Sequence, residues 1–134
     1  MTTLKSESVS VTAAPDVVIL RQKVRAWTTE LKFSLVDQTK MITASSELAR
    51  NTLHHGGGGT CLMEILSNGT RTGLRLTFED HGPGIPDIDL ALKDGYTTAG
   101  GMGLGLSGSK RLVNEFQIAS KVGEGTRVCV IRWK

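Results

Sequence analysis

The chain has 134 residues, a formal charge of +3 and ordinary apolar and charged fractions, which fits one compact domain over residues 1–134. Its basic residues are scattered among acids, so no nucleic-acid footprint is present, no apolar run approaches the roughly 18 residues of a membrane span, and "MTTLKSESVS" lacks the apolar region of a signal peptide. A cytoplasmic protein with neither nucleic-acid nor membrane partners is the default expectation. Cys61 and Cys129 lie in strand-like runs without metal-ligand spacing, and both are expected to be reduced, buried thiols.

In chain order, "ESVSVTA" (residues 7–13) alternates and predicts an edge strand. Pro15 and Asp16 open a helix whose apolar residues Val17, Leu20, Val24, Trp27 and Leu31 fall at helical spacing. A second helix is predicted from about Leu35 to His55. Its core face carries Met41, Ala44, Ser45, Leu48, Ala49 and Thr52, and glycines 56–59 end it. "TCLMEIL" and "GLRLTFED" read as two strands, and the Asn68-Gly69 pair between them signals a hairpin. From His81 to Gly103 the chain reads as a loop rich in Gly, Pro and Thr, with a short helix near 87–92. Structureless loops of that length are uncommon in compact domains and are often functional lids. A third helix is predicted over roughly Leu104–Phe116. "QIASKV", the turn "GEG" and "TRVCVIRW" then form a closing hairpin. This order predicts a two-layer α/β sandwich, with helices on one face of a mixed, mainly antiparallel sheet.

Four patches carry chemistry. In "SELARNTLHH", Glu47, Asn51, His54 and His55 share one helical stripe at the border of the apolar face. Such a stripe serves either as a polar flank or as an address for Mg²⁺. Mg²⁺ takes hard oxygen ligands and keeps most of its shell as water and phosphate, so the Asn51 carboxamide can anchor it. Glu47, one turn earlier, can take a proton from an attacking hydroxyl. In "EDHGPGIPD", Asp80 ends an apolar strand beside Gly82, Gly84 and Ile85. This is either a plain turn or a close backbone approach to a ligand, with a carboxylate ready for an exocyclic amine.

In "TTAGGMGLGLSGSK", Gly103, Gly105 and Gly108 have G-x-G-x-x-G spacing, and Ser109-Lys110 nearly completes a Walker A loop. Both of those motifs require a strand immediately before the glycines, and a long polar loop stands there instead. What remains is a glycine-rich lid ending at a helix N-terminus, where bare N–H groups favour phosphate. Lys110 is either a further charge for it or a solvated residue. In "GEGT", Thr126 is either an ordinary β-branched strand residue or the last member of the ordered set.

That ordered set, E-x-x-x-N, D-x-G-x-G, G-x-G-x-G and G-T, resembles the GHKL ATPase superfamily, named for gyrase, Hsp90, histidine kinases and MutL. Within it the chain is most similar to the small bacterial serine/threonine kinases of partner-switching modules, the stressosome switch kinases above all. The resemblance covers nearly the whole chain and implies a Bergerat-type fold that binds ATP and Mg²⁺ under a lid. By that resemblance Glu47 is the general base and Asn51 the Mg²⁺ ligand, and His55 lies near the phosphates. Asp80 binds the adenine amine, supported by Thr126 through a water. Gly82, Gly84 and Ile85 line the adenine pocket. Gly101, Gly103 and Gly105 wrap the phosphates, while Leu104 and Leu106 seat the following helix. The run "HHGGGG" departs from the pattern, which leaves the role of His54 open.

Length then discriminates. The chain has no room for a histidine kinase's dimerising domain, nor for the second domain from which gyrase-, Hsp90- and MutL-like ATPases draw a catalytic lysine. The acceptor is therefore expected on another protein. The resemblance implies a STAS-domain antagonist as phosphoacceptor, with a stressosome-type scaffold and a PP2C-type phosphatase as further partners. Two alternatives stand beside this reading. One is an anti-sigma factor that holds a sigma factor directly and phosphorylates an anti-antagonist; the other is a non-catalytic, ATP-gated binding module.

Overall fold

The computed structural model describes residues 1–93 and 105–134. Strand β1 (Thr2–Val11) leads into helices α1 (Ala14–Glu30) and α2 (Leu35–His54), then strands β2 (Gly59–Ser67) and β3 (Thr72–Asp80). The short helices α3 (Ile88–Ala91) and α4 (Gly105–Arg111) precede strands β4 (Glu115–Lys121) and β5 (Gly125–Trp133). The strands form one five-stranded sheet in the order β1-β2-β3-β5-β4. All four pairings are antiparallel, which corrects the expectation of a mixed sheet. The cause is connectivity. Two hairpins pair neighbours directly, and two helices, not one, separate β1 from β2, so the chain returns in the opposite direction.

Local chemistry sets the elements. The Asp16 carboxylate accepts the Thr12 and Ala13 N–H groups at the start of α1 (2.9 and 3.1 Å). The Ser34 hydroxyl accepts the Asp37 N–H at the start of α2 (3.1 Å). Between β2 and β3, Asn68 Oδ1 accepts the Thr70 and Arg71 N–H groups, and Gly69 takes φ +96°, as the hairpin signal requires. The sheet buries Val9, Val11, Cys61, Met63, Leu74, Leu76, Phe78, Val128 and Val130 against Leu20, Val24, Trp27, Met41, Leu48 and Ala49 of the helices. All six residues expected on the core face of α2 are buried.

Two boundaries and the burial of one cysteine differ from expectation. Strand β1 begins five residues earlier than its alternation suggests, because Thr2–Ser6 pair with β2 along an exposed edge, where burial leaves no alternating signature. The third helix ends at Arg111 and does not reach Phe116. Strand β5 claims the backbone beyond it: the Asn114 N–H donates to the Ile131 carbonyl (2.9 Å), and the Asn114 carboxamide accepts the Trp133 N–H (2.7 Å). Cys61 is fully buried as expected, but Cys129 is only half-buried, being on the sheet face that carries no helices.

Candidate functional site

Side chains alternate across a strand, so residues two apart share a face. On β3 the core row Leu74, Leu76, Phe78 continues to Asp80, and on β5 the row Val130, Val128 continues to Thr126. The register places Gly59, Asp80, Thr126 and Ser120 directly opposite one another across β2, β3, β5 and β4. One end of the sheet therefore carries a polar row on the face that elsewhere is core. Asp80 is only 9% exposed. Its Oδ1 accepts the Gly82 N–H (2.9 Å) and the Thr126 N–H (3.3 Å), while no donor among the described residues is bonded to Oδ2.

The polar row closes one end of a cavity of about 450 Å³, within the ~300–1,000 Å³ of small-molecule sites. Leu48, Phe78, Ile85, Leu90, Leu106 and Val128 make its apolar walls. The last turns of α2 line it with Glu47, Arg50, Asn51, His54 and His55. The Glu47 side chain is 12% exposed, and its Oε1 accepts from Arg50 Nη1 at 2.9 Å. Four separated sequence patches thus meet around one space. An apolar slot ending in a carboxylate with a spare oxygen fits a purine with its amine. A carboxamide and a carboxylate one turn apart, beside imidazoles, fit the metal–phosphate end. The donor set therefore suits a magnesium nucleotide.

Of the expected residues, Glu47, Asn51, His55, Asp80, Gly84, Ile85, Gly105, Leu106 and Thr126 line the cavity. Gly82 sits behind it, where a Cβ would come within 2.6 Å of the Gly56 Cα. Lys110 is exposed on α4 and is not part of the lining. Gly101, Gly103 and Leu104 lie outside the described residues.

Sequence reasoning missed three participants. Arg50 pairs with Glu47. Gly56 lies so close to Asp80 that a Cβ there would stand 2.3 Å from the carboxyl carbon. Ser120 joins three backbone segments through one hydroxyl. Only Ser120 left a readable signal, since it extends the half-buried row Phe116, Ile118 on β4.

Residues 36–134 match the family described as histidine kinase-, DNA gyrase B- and HSP90-like ATPases. The chain belongs to that family. Among its relatives, the serine/threonine-protein kinase RsbT of Bacillus subtilis (strain 168) is 46% identical over 118 residues, 88% of this chain and 89% of that one. An anti-sigma F factor of Anoxybacillus flavithermus (strain DSM 21510 / WK1) is 30% identical over 119 residues, 84% of this chain and 80% of that protein. The expected resemblance to GHKL ATPases, and within them to small bacterial serine/threonine kinases, is borne out.

Solved structures agree on the fold. The RsbU and RsbW domains of Rv1364c from Mycobacterium tuberculosis superpose with a TM-score of 0.65 at 18% identity, covering 97% of this chain and 33% of that one, so this chain spans about a third of its length. The SiaB–SiaC complex from Pseudomonas aeruginosa gives 0.60 at 9% identity, covering 98% and 91%. No helix among the described residues of this ATPase-family chain is long and apolar enough to cross a membrane.

Proposed function

We propose that residues 1–134 act as one unit, an ATP- and Mg²⁺-dependent serine/threonine protein kinase of a bacterial partner-switching pathway in the cytoplasm, with a STAS-domain antagonist as phosphoacceptor. The observation that carries this reading is the placement of Glu47 and Asn51, one helical turn apart, on the wall of the cavity that Asp80 and Thr126 close at its other end. Asp80 Oδ2 accepts the adenine amine, and the apolar walls hold the ring. Asn51 gives its carboxamide oxygen to Mg²⁺, which when bound offsets phosphate charge.

The partner's Ser or Thr hydroxyl approaches the γ-phosphorus, and Glu47 accepts its proton as the new P–O bond forms and the bond to ADP breaks. Positioning and charge neutralisation provide most of the acceleration. His55, Gly105 and Leu106 border the phosphate end, and Gly101, Gly103 and Leu104 are proposed to complete it with Lys110. Gly82, Gly84 and Ile85 shape the adenine end. The freed kinase then engages a stressosome-type scaffold and a PP2C-type phosphatase.

The test is transfer of labelled phosphate from ATP to a purified STAS partner. Glu47→Ala is expected to lower kcat by about 10²–10⁴-fold while magnesium–ADP still binds in calorimetry. Transfer that survives unchanged in that variant removes Glu47 from the base role. A second reading, an anti-sigma factor that binds a sigma factor directly, is favoured by the 30% identical anti-sigma F relative. Co-purification with a sigma factor supports it. A non-catalytic ATP-gated module is disfavoured, because a switch without transfer has no use for Glu47; nucleotide binding with no transfer to any STAS partner would restore it.

A further inference from the structure

Ser120 Oγ makes three contacts: with the Ile85 N–H at 2.7 Å, with the Gly125 carbonyl at 3.1 Å and with Thr126 Oγ1 at 2.7 Å. A hydroxyl has one proton and two lone pairs. The Ile85 N–H can only donate, so it takes one lone pair. The Gly125 carbonyl can only accept, so it takes the proton. The Thr126 contact must then use the Thr126 proton, which points at Ser120 and away from the cavity. Thr126 Oγ1 is left with lone pairs alone.

Beside it, directly opposite in the strand register, stands the Asp80 carboxylate, which when ionised is also an acceptor only. Asp80 and Thr126 therefore both accept at this end of the cavity and neither donates, and the nearby Thr52 hydroxyl spends its proton on the Leu48 carbonyl (3.0 Å).

We infer that Ser120 is a specificity-determining positioning residue, which locks the Thr126 hydroxyl as an acceptor and thereby selects nucleotides bearing an amine at the purine 6-position over those bearing an oxo group. The inference rests on the nucleotide reading above. Ser120 itself does not line the cavity; it acts through the orientation of one O–H bond. An amine brings donors to two acceptors, directly or by way of a water. A 6-oxo group brings a third acceptor and leaves one donor, the ring N1–H, to serve the two acceptors already there, and a buried site rejects a ligand that leaves its polar groups unpaired. Without the Ser120 oxygen, the Thr126 proton is free to rotate into the cavity and can meet that oxo group.

The test is calorimetric binding of magnesium–ADP and magnesium–IDP, which differ in the base only at position 6 and the adjoining ring proton. The wild-type chain is expected to favour ADP by about 100-fold or more. In Ser120→Ala the ratio falls roughly tenfold, the worth of one hydrogen bond, chiefly because IDP binds better. Ser120→Thr, which keeps the hydroxyl, restores the ratio to within about threefold of wild type. Ser120→Cys keeps the shape while weakening the hydrogen bonds and shifts the ratio in the same direction as Ala, so it carries the test if the Ala variant does not fold. An ADP-to-IDP ratio unchanged in the folded Ala or Cys variant overturns the inference. A folded wild-type chain that binds neither diphosphate overturns the nucleotide reading, and the inference with it.

Discussion

Gly56 and Gly57 are adjacent, and the same substitution should fail at each for a different reason. At Gly56 an added Cβ would stand 2.3 Å from Asp80 Cγ and 2.5 Å from Oδ2. Ordinary carbon contacts begin near ~3.5 Å, so a gap of about 1.2 Å must open. Asp80 has little room to yield, because its Oδ1 is held by the Gly82 and Thr126 N–H groups. Gly56→Ala is expected to cost about 1–3 kcal/mol of stability, as overpacking does. Tilting the carboxylate away from the adenine amine that it is proposed to bind forfeits a charged hydrogen bond of roughly 1.5–3 kcal/mol, which lowers ADP affinity about 10- to 100-fold.

At Gly57 a Cβ meets nothing within 4 Å, but the backbone holds φ +73°. Gly57→Ala therefore costs about 1–2 kcal/mol of backbone strain and leaves affinity unchanged. The assay is chemical denaturation paired with magnesium–ADP calorimetry on both variants. The steric reasoning is refuted if Gly56→Ala binds ADP within twofold of wild type, or if the two variants lose affinity equally.

Three further outcomes follow from the packing. Hydrogen bonding from the Arg132 guanidinium, 2.5 Å away, holds the Asp37 carboxyl below its ordinary value of 3.8. That pair stabilises the fold above the ordinary value and ceases to do so as pH falls through the lowered one. Asp37→Asn should thus cost about 1 kcal/mol in urea melts at pH 7, a difference that narrows below pH ~4 and vanishes once wild-type Asp37 is protonated; a gap constant down to acid refutes it. Leu76→Ala, at a position with no exposure, should lose about 2–5 kcal/mol while the folded fraction keeps its ADP affinity. Burial pushes the Cys61 thiol far above its usual range, so iodoacetamide at mild alkaline pH should leave Cys61 unlabelled until the chain is unfolded, as peptide mapping can show.

Most of the fold was legible because its signals are local. Periodicity marked the buried face of α2, and Asn68-Gly69 marked the β2–β3 hairpin. The errors arose where a distant strand decides. Asn114 and Phe116 have helical company in sequence, yet β5 takes their backbone groups into the sheet. The first residues of β1 are held by pairing alone, without a buried row to betray them. At the site, residue types that announce chemistry were readable: Glu47, Asn51, Asp80 and Thr126 all reach the cavity. Gly56 announces nothing in sequence, and Ser120 shows only its place in a half-buried row. Their parts follow from a contact across the fold and from the counting of hydroxyl protons, and neither exists before the chain is folded.

Strand β3 has β2 on one side and β5 on the other, which leaves it no free edge. The carboxylate at its tip is consequently carried by a central strand, the kind of element that opens last. The proposed transfer end is carried instead by the last turns of α2, with Asn51 in the final one, where fraying is cheap. On the proposed reading, base recognition would rest on the sheet and the magnesium end on the close of α2, so a partner protein pressing there would alter turnover without disturbing which nucleotide is held.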